Sequence, residues 1–262
     1  MIDHHLHTTL SPDGESTPEQ YIARAELLGG KGVCFTDHLD LGYSKKQFEN
    51  ADIFEKMPDF DKLREGTSIK VLRGIEAGYN PATAEDTARL LANRSFDYII
   101  NSVHEVDGID PYFDEYYQGK TREQAYGRYL EAVFESLDAP YDYSVVGHLG
   151  YVFRNSPYPL PVMEWSEFPD IYDAILMRII YLGKGLEINT SALARHRSAM
   201  PCMSVIRRYI ELGGEIITLG SDAHQVRRLY DRFDEAKQML LSSGARYIAT
   251  FEDMKPVLDY IK

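Results

Sequence analysis

Short apolar segments recur along the chain at 2–6, 32–36, 69–75, 97–103, 143–148, 185–189 and 215–220, and each ends in a polar, ionisable side chain. Helical stretches fall between them at 82–93, 121–138, 169–182, 201–213 and 232–243, with a weak further strand at 246–250. The first helix is the best marked. In "STPEQYIARAELLGG" Thr17 is the N-cap, Pro18 takes the first helical position and Gln20 completes a capping box. Strands that read as near-continuous apolar runs, such as "YSVVGH" and "EIITLG", need cover on both faces and so belong to a parallel sheet. Seven or eight βα units in 262 residues predict an α/β barrel rather than an open sheet, folded as one domain over residues 1–262. A doubly wound sheet is the alternative, but no G-x-G-x-x-G follows the first strand, so its dinucleotide-binding version has no support.

In such a barrel the C-terminal strand ends converge on one face, where active sites form. The residues delivered there are Asp3, His5 and His7; Asp37, His38 and Asp40; Glu76; His104; His148; Glu187; and Asp222 and His224. Seven of the eight histidines lie in these segments. Any one of them reads most simply as a structural or solvated side chain. The set does not, because burying so many imidazoles and carboxylates together costs several kcal/mol each unless cations compensate. Strand alternation places Asp3, His5 and His7 inside the barrel and turns His4 and Leu6 toward the helices. His196, among arginines in "ARHRSAMP", is expected to be exposed.

The net charge of −13 argues against nucleic-acid and anionic-membrane partners, so an anionic substrate must find its positive charge within the site. Cys34 and Cys202 make no disulfide framework, and Cys34 in "GVCFT" reads as a small core residue. With no leader and no apolar run near 18 residues, the expected location is the cytoplasm.

In order, "DHHLHT", "FTDH", "GIEAGY", "SVHEVDG", "GHLGY", "LEINTS" and "GSDAH" resemble the motifs of PHP (polymerase and histidinol phosphatase) domains, in particular the stand-alone histidinol-phosphate phosphatase branch. The resemblance spans about residues 2–225. It implies a distorted (β/α)7 TIM-like barrel, with three divalent transition-metal ions at the C-terminal strand ends, that hydrolyses a small-molecule phosphate ester, L-histidinol phosphate above others. Carried over residue by residue, it implies a first metal on His5, His7, Glu76 and Asp222. A second is implied on Glu76, His104 and His148, with Glu76 bridging, and a third on His38 and His224. Many relatives add to the third metal a histidine six positions after the second histidine of the first motif; here that position is Asp13. Imidazole and carboxylate donors without a thiolate suit zinc, iron or manganese.

Beyond the metals, Arg154, Arg195 and Arg197 are candidates for binding phosphate, with Arg154 and Arg197 also catalytic; each can equally be a solvated surface charge. Asp40 is either a proton donor to the leaving alkoxide or an orienting partner of a ligand. Tyr117, with Tyr112 and Tyr116 in "DPYFDEYYQGK", belongs to a substrate-facing loop after the fourth strand, unless clustering among 19 tyrosines is accidental. The rival readings are a phosphatase for phosphotyrosine, nucleotides or sugar phosphates, and a non-catalytic metal-binding regulator. Oligomeric state is not legible.

Overall fold

The computed structural model describes residues 1–261. Its strands are β1 (Ile2–Leu6), β2 (Gly32–Phe35), β3 (His38–Leu39), β4 (Lys70–Gly78), β5 (Tyr98–Ser102), β6 (Val145–Val146), β7 (Gly185–Asn189), β8 (Ile217–Gly220), β9 (Tyr247–Glu252) and β10 (Lys255–Tyr260). The helices are α1 (Pro18–Leu27), α2 (Ile53–Lys56), α3 (Phe60–Arg64), α4 (Ala84–Leu91), α5 (Arg122–Ser136), α6 (Pro169–Tyr181), α7 (Leu193–His196), α8 (Met203–Glu211) and α9 (Phe233–Ser242). The strands run parallel in the order β1-β2-β4-β5-β6-β7-β8, and β3 continues the β2 position beside β4. The barrel closes where Leu6 bridges Ala223 and the His7 N–H donates to the Ala223 carbonyl at 3.0 Å. Seven strand positions result, as the (β/α)7 expectation requires.

Local sequence sets the boundaries. Thr17 accepts from the Gln20 N–H while Gln20 accepts from the Thr17 N–H, so the capping box opens α1, and Thr121 and Gln124 repeat it for α5. Outside the barrel α5, α6 and α8 bury Tyr126, Tyr129, Tyr172 and Tyr209. β4 runs on to Gly78, so Glu76 lies within a strand rather than beyond one. No described helix is long and apolar enough to cross a membrane.

The alternation expected for β1 fails in the middle of the strand. Ile2 pairs with Gly32, Asp3 with Val33 and Leu6 with Phe35, so His4 and His5 together stand opposite Cys34. This bulge resets the pleat. Asp3 is carried out of the barrel interior, where its carboxylate accepts from the N–H groups of Ser221 (2.9 Å) and Tyr230 (3.0 Å), and burial pushes its pKa up to about 6. Leu6 packs with Val33 and Phe35 against Tyr21 and Ile22 of α1. His4 does not turn toward the helices. Its ring lies 5.3 Å from that of Tyr98, an interior residue, and its Nε2 is 3.1 Å from Thr250 Oγ1. Burial pulls its pKa down to about 4, which keeps it neutral. Both histidines therefore face inward at different heights, His4 low and His5 high.

Below His4 lies an antiparallel hairpin, β9–β10, of which only the first strand is foreshadowed in sequence. Ala249 and Phe251 join Ile2, Cys34, Leu72, Tyr98, Ile100 and Val145 in the lower interior cluster, and the Met254 N–H donates to the Asp97 carbonyl at 3.0 Å. The hairpin thus packs under the N-terminal end of the barrel. Phe251→Ala should cost about 3–5 kcal/mol of stability, read by urea denaturation. A loss under about 1 kcal/mol would show that the hairpin merely rests on the barrel.

Candidate active site

The loop after β1 is anchored by Asp37. Its Oδ1 accepts from the N–H of Thr8 (2.6 Å) and from the N–H and hydroxyl of Ser11 (3.1 and 2.7 Å), and its Oδ2 from the Thr8 hydroxyl (2.9 Å). Because the Ser11 hydroxyl donates to Asp37, its oxygen accepts from His7 Nδ1–H at 3.1 Å. Glu187 does similar work from β7. One oxygen takes His5 Nδ1–H at 2.5 Å and the other the His148 N–H at 2.7 Å. Asp40 Oδ1 takes His104 Nδ1–H at 2.8 Å. In His5, His7 and His104 the Nδ1 proton is thereby committed, and each Nε2 presents a bare lone pair to the interior.

Five imidazole nitrogens converge on Glu76. Its Oε1 lies 3.1 Å from His104 Nε2 and 2.9 Å from His148 Nε2. Its Oε2 lies 3.3 Å from His5 Nε2, 3.4 Å from His7 Nε2 and 3.0 Å from His38 Nδ1. The carboxylate is fully buried, and its Oε1 also accepts from the Ser102 hydroxyl at 2.7 Å. Asp222 Oδ1 is 3.4 Å from His7 Nε2, while its Oδ2 accepts from Arg154 at 3.0 Å. Asp13 reaches across the mouth, 3.1 Å from His224 Nε2 and 3.8 Å from His38 Nε2. All nine expected ligands, His5, His7, Asp13, His38, Glu76, His104, His148, Asp222 and His224, are thus brought into one constellation at the C-terminal strand ends. Ligand atoms of His5, His7 and Asp222, of His5, Glu76 and His148, and of His7, His38 and His224 lie within 4.8 Å of one another.

The donor set fits metal ions on one internal observation. Glu76 Oε2 is buried among three imidazole nitrogens and accepts no hydrogen bond. Likewise His5 Nε2 and His7 Nε2 face each other at 3.0 Å with both Nδ1 protons engaged elsewhere. Such lone-pair crowding is relieved by a cation.

A cavity of about 600 Å³ opens above this cluster. Arg154 lines it, but other expectations need correction. Tyr117 is buried away from the cavity, its hydroxyl shared between the carbonyls of Pro111 (2.7 Å) and Val152 (2.6 Å); it braces two loops. Arg195 and Arg197 sit on and just after α7, outside the cavity. Arg195 donates to Asn155 at 2.8 Å and to the Arg154 carbonyl at 3.3 Å, and the Arg197 backbone takes a left-handed turn (φ 55°) that leaves its side chain in solvent. His196 is half-buried rather than exposed, and its Nε2–H donates to the Arg154 carbonyl at 2.8 Å. Asp40 lines the cavity, and it also holds His104 Nδ1–H and lies 3.2 Å from His38 Nδ1, which is the orienting contact the sequence offers beside proton donation. Burial opposes its ionisation, but those two imidazoles keep its pKa well below the carboxylate range.

The cavity also contains Arg227 and Arg228, together with Tyr43, Lys45, Asp110, Tyr112 and Tyr151. The two arginines were legible in "SDAHQVRRLYD", directly after the last strand-end histidine. Lys45, Tyr43 and Asp110 come from long loops that carry no periodic signal.

Comparison with known proteins agrees with this architecture. The chain is 29% identical to a histidinol-phosphatase of Lactococcus lactis subsp. lactis over 257 residues, covering 97% of this chain and 95% of that protein. The crystal structure of histidinol phosphate phosphatase from the same organism, complexed with zinc, L-histidinol and phosphate, superposes with a TM-score of 0.87 at 28% identity and covers 98% of each chain. A Listeria monocytogenes structure shares the fold at a TM-score of 0.77 and 20% identity, covering 90% of this chain and 99% of that one. The PHP domain matches residues 3–191, well over half of the sequence, and the chain belongs to the PHP domain family.

Proposed function

We propose that this chain is a metal-dependent phosphomonoesterase that hydrolyses L-histidinol phosphate to L-histidinol and phosphate. One observation carries the chemistry: a fully buried carboxylate, Glu76, with the nitrogens of His104 and His148 at one oxygen and those of His5, His7 and His38 at the other. The substrate rests on likeness along nearly the full length to the Lactococcus lactis phosphatase. The residues that would hold metals are His5, His7, Glu76 and Asp222 for a first ion, Glu76, His104 and His148 for a second, and His38, His224 and Asp13 for a third. Zinc, iron and manganese all suit these donors. Bound there, such ions supply a Lewis acid for phosphoryl oxygens and a water acidic enough to attack near neutral pH.

The chain's own residues do the rest. Glu187, Ser11 and Asp40 fix the ring orientations and leave each Nε2 free to ligate. Arg154, paired to Asp222 through one nitrogen, turns its remaining N–H groups to the cavity, where they can hold equatorial phosphoryl oxygens as charge develops. Arg227 and Arg228 add positive charge at the rim, which a chain of net charge −13 needs if it is to admit a dianion. Among the described residues no serine or cysteine lines the cavity, so attack by water is the reading the lining favours. A small-molecule ester, no nucleic acid and a cytoplasmic setting complete the proposal.

Three outcomes test it. Chelation should abolish hydrolysis of L-histidinol phosphate, and Glu76→Gln should lose bound metal by elemental analysis and lower turnover by more than about 100-fold with the circular dichroism spectrum intact. A Glu76→Gln protein that keeps its metals and its rate would remove Glu76 from the centre of the site. Hydrolysis in heavy-oxygen water should place solvent oxygen in the phosphate and none in the alcohol; a trapped phosphorylated side chain would overturn direct attack by water. Arg154→Ala should lower kcat/KM about 100-fold, whereas Arg197→Ala should stay within about twofold of wild type. Equal losses would return Arg197 to the site.

A further inference from the structure

The cavity wall beyond the histidines is built by two loops. Tyr43 and Lys45 come from the loop after β3, and Asp110, Tyr112 and Phe113 from the loop after β5. The loops are fastened to each other. The Tyr43 hydroxyl donates to Asp110 Oδ2, the Ser44 N–H donates to the Glu105 carboxylate at 3.0 Å, and Lys45 Nζ lies 3.0 Å from the centre of the Phe113 ring.

Asp110 is the unusual member of this wall. It lines the cavity yet is only 6% exposed. Its Oδ1 accepts from the Tyr112 N–H at 2.6 Å and its Oδ2 from Tyr43, but no Lys, Arg or His pairs with it within 4.0 Å among the described residues. Burial pushes its carboxyl pKa up, and the hydroxyl of Tyr43 and the N–H of Tyr112 offset this only in part. A buried carboxylate with hydrogen-bond donors and no counter-charge gains strongly when a cation comes to it. Tyr151 joins this wall to the catalytic end: it lines the same cavity as Asp110, and its ring is 5.0 Å from that of His148 and 5.8 Å from that of His104. A phosphate ester held at the histidines would have Tyr151 and Asp110 on the wall of the same cavity, beside rings whose faces also attract a cation.

Resting on the phosphatase reading above, we propose that Asp110 binds a cationic nitrogen of the leaving alcohol, and that this contact selects amine- or imidazole-bearing phosphate esters over neutral ones. Phosphate is gripped at the arginine side, and the alcohol is read at the acidic side. Both the amino group and the imidazolium of L-histidinol phosphate have the required chemistry.

The experiment compares kcat/KM for four esters in wild type and Asp110→Asn: L-histidinol phosphate, 3-(imidazol-4-yl)propyl phosphate lacking the amine, O-phospho-L-phenylalaninol lacking the imidazole, and p-nitrophenyl phosphate. Asp110→Asn should lower the ratio of L-histidinol phosphate to p-nitrophenyl phosphate by about 10- to 100-fold. The analogue that lacks the group bound by Asp110 should show no such fall, which says whether amine or imidazole is read. An unchanged ratio, or one common factor across all four esters, overturns the assignment. Wild type alone supplies a second arm if the variant does not accumulate. It should disfavour at least one analogue by about 10-fold against L-histidinol phosphate, and parity with both overturns the selection. A wild-type protein that cleaves p-nitrophenyl phosphate but not L-histidinol phosphate instead sinks the substrate reading itself.

Discussion

A carboxylate taken wholly out of water is the constraint around which this molecule is arranged. Glu76 sits at the barrel's upper centre with five imidazole rings within 3.4 Å of its oxygens. Nothing apolar could replace it without leaving those nitrogens uncompensated, and the cluster in turn would be intolerable without positive charge in its midst. Much of the surrounding polar structure serves this group. The Ser11–Asp37 relay, the Glu187 fork and the Asp40–His104 contact each take a proton on the far side of a ring so that the near side is free.

The barrel and its strand-end residues were legible because they follow from two periodicities and a position rule. Apolar runs mark parallel strands, caps mark helices, and C-terminal strand ends share a face. What failed did so for local reasons. Strict alternation mis-sorted Asp3 and His4, because a one-residue bulge opposite Cys34 shifts the pleat where the histidines are densest, and a bulge leaves no mark in hydrophobic pattern. Tyr117 lies in the loop after the fourth strand, where a substrate-facing side chain is expected, yet its hydroxyl is spent on two backbone carbonyls. Arg197 follows a strand as closely as Arg154 follows one, and only the left-handed turn after α7 separates their fates.

The same division explains which residues escaped notice. Ligands sit on strands, whose register is fixed by many ladder bonds. The pocket's second wall sits on loops at 40–50 and 105–117, where a side chain's direction depends on partners distant in sequence, such as Tyr43 with Asp110. No pattern within either loop announces the other.

Glu187 has a consequence for how such a molecule can change over generations. One side chain on β7 fixes a ring on β1 and the backbone of His148 just beyond β6, so two corners of the constellation answer to a single residue. Drift at any one of them disturbs the others, and the interior is left with little room for piecemeal revision. The outer loops are tied to each other, through Tyr43 and Asp110, rather than to this interior network. A lineage built on this scaffold is thus free to exchange what it recognises while its hydrolytic centre stands still.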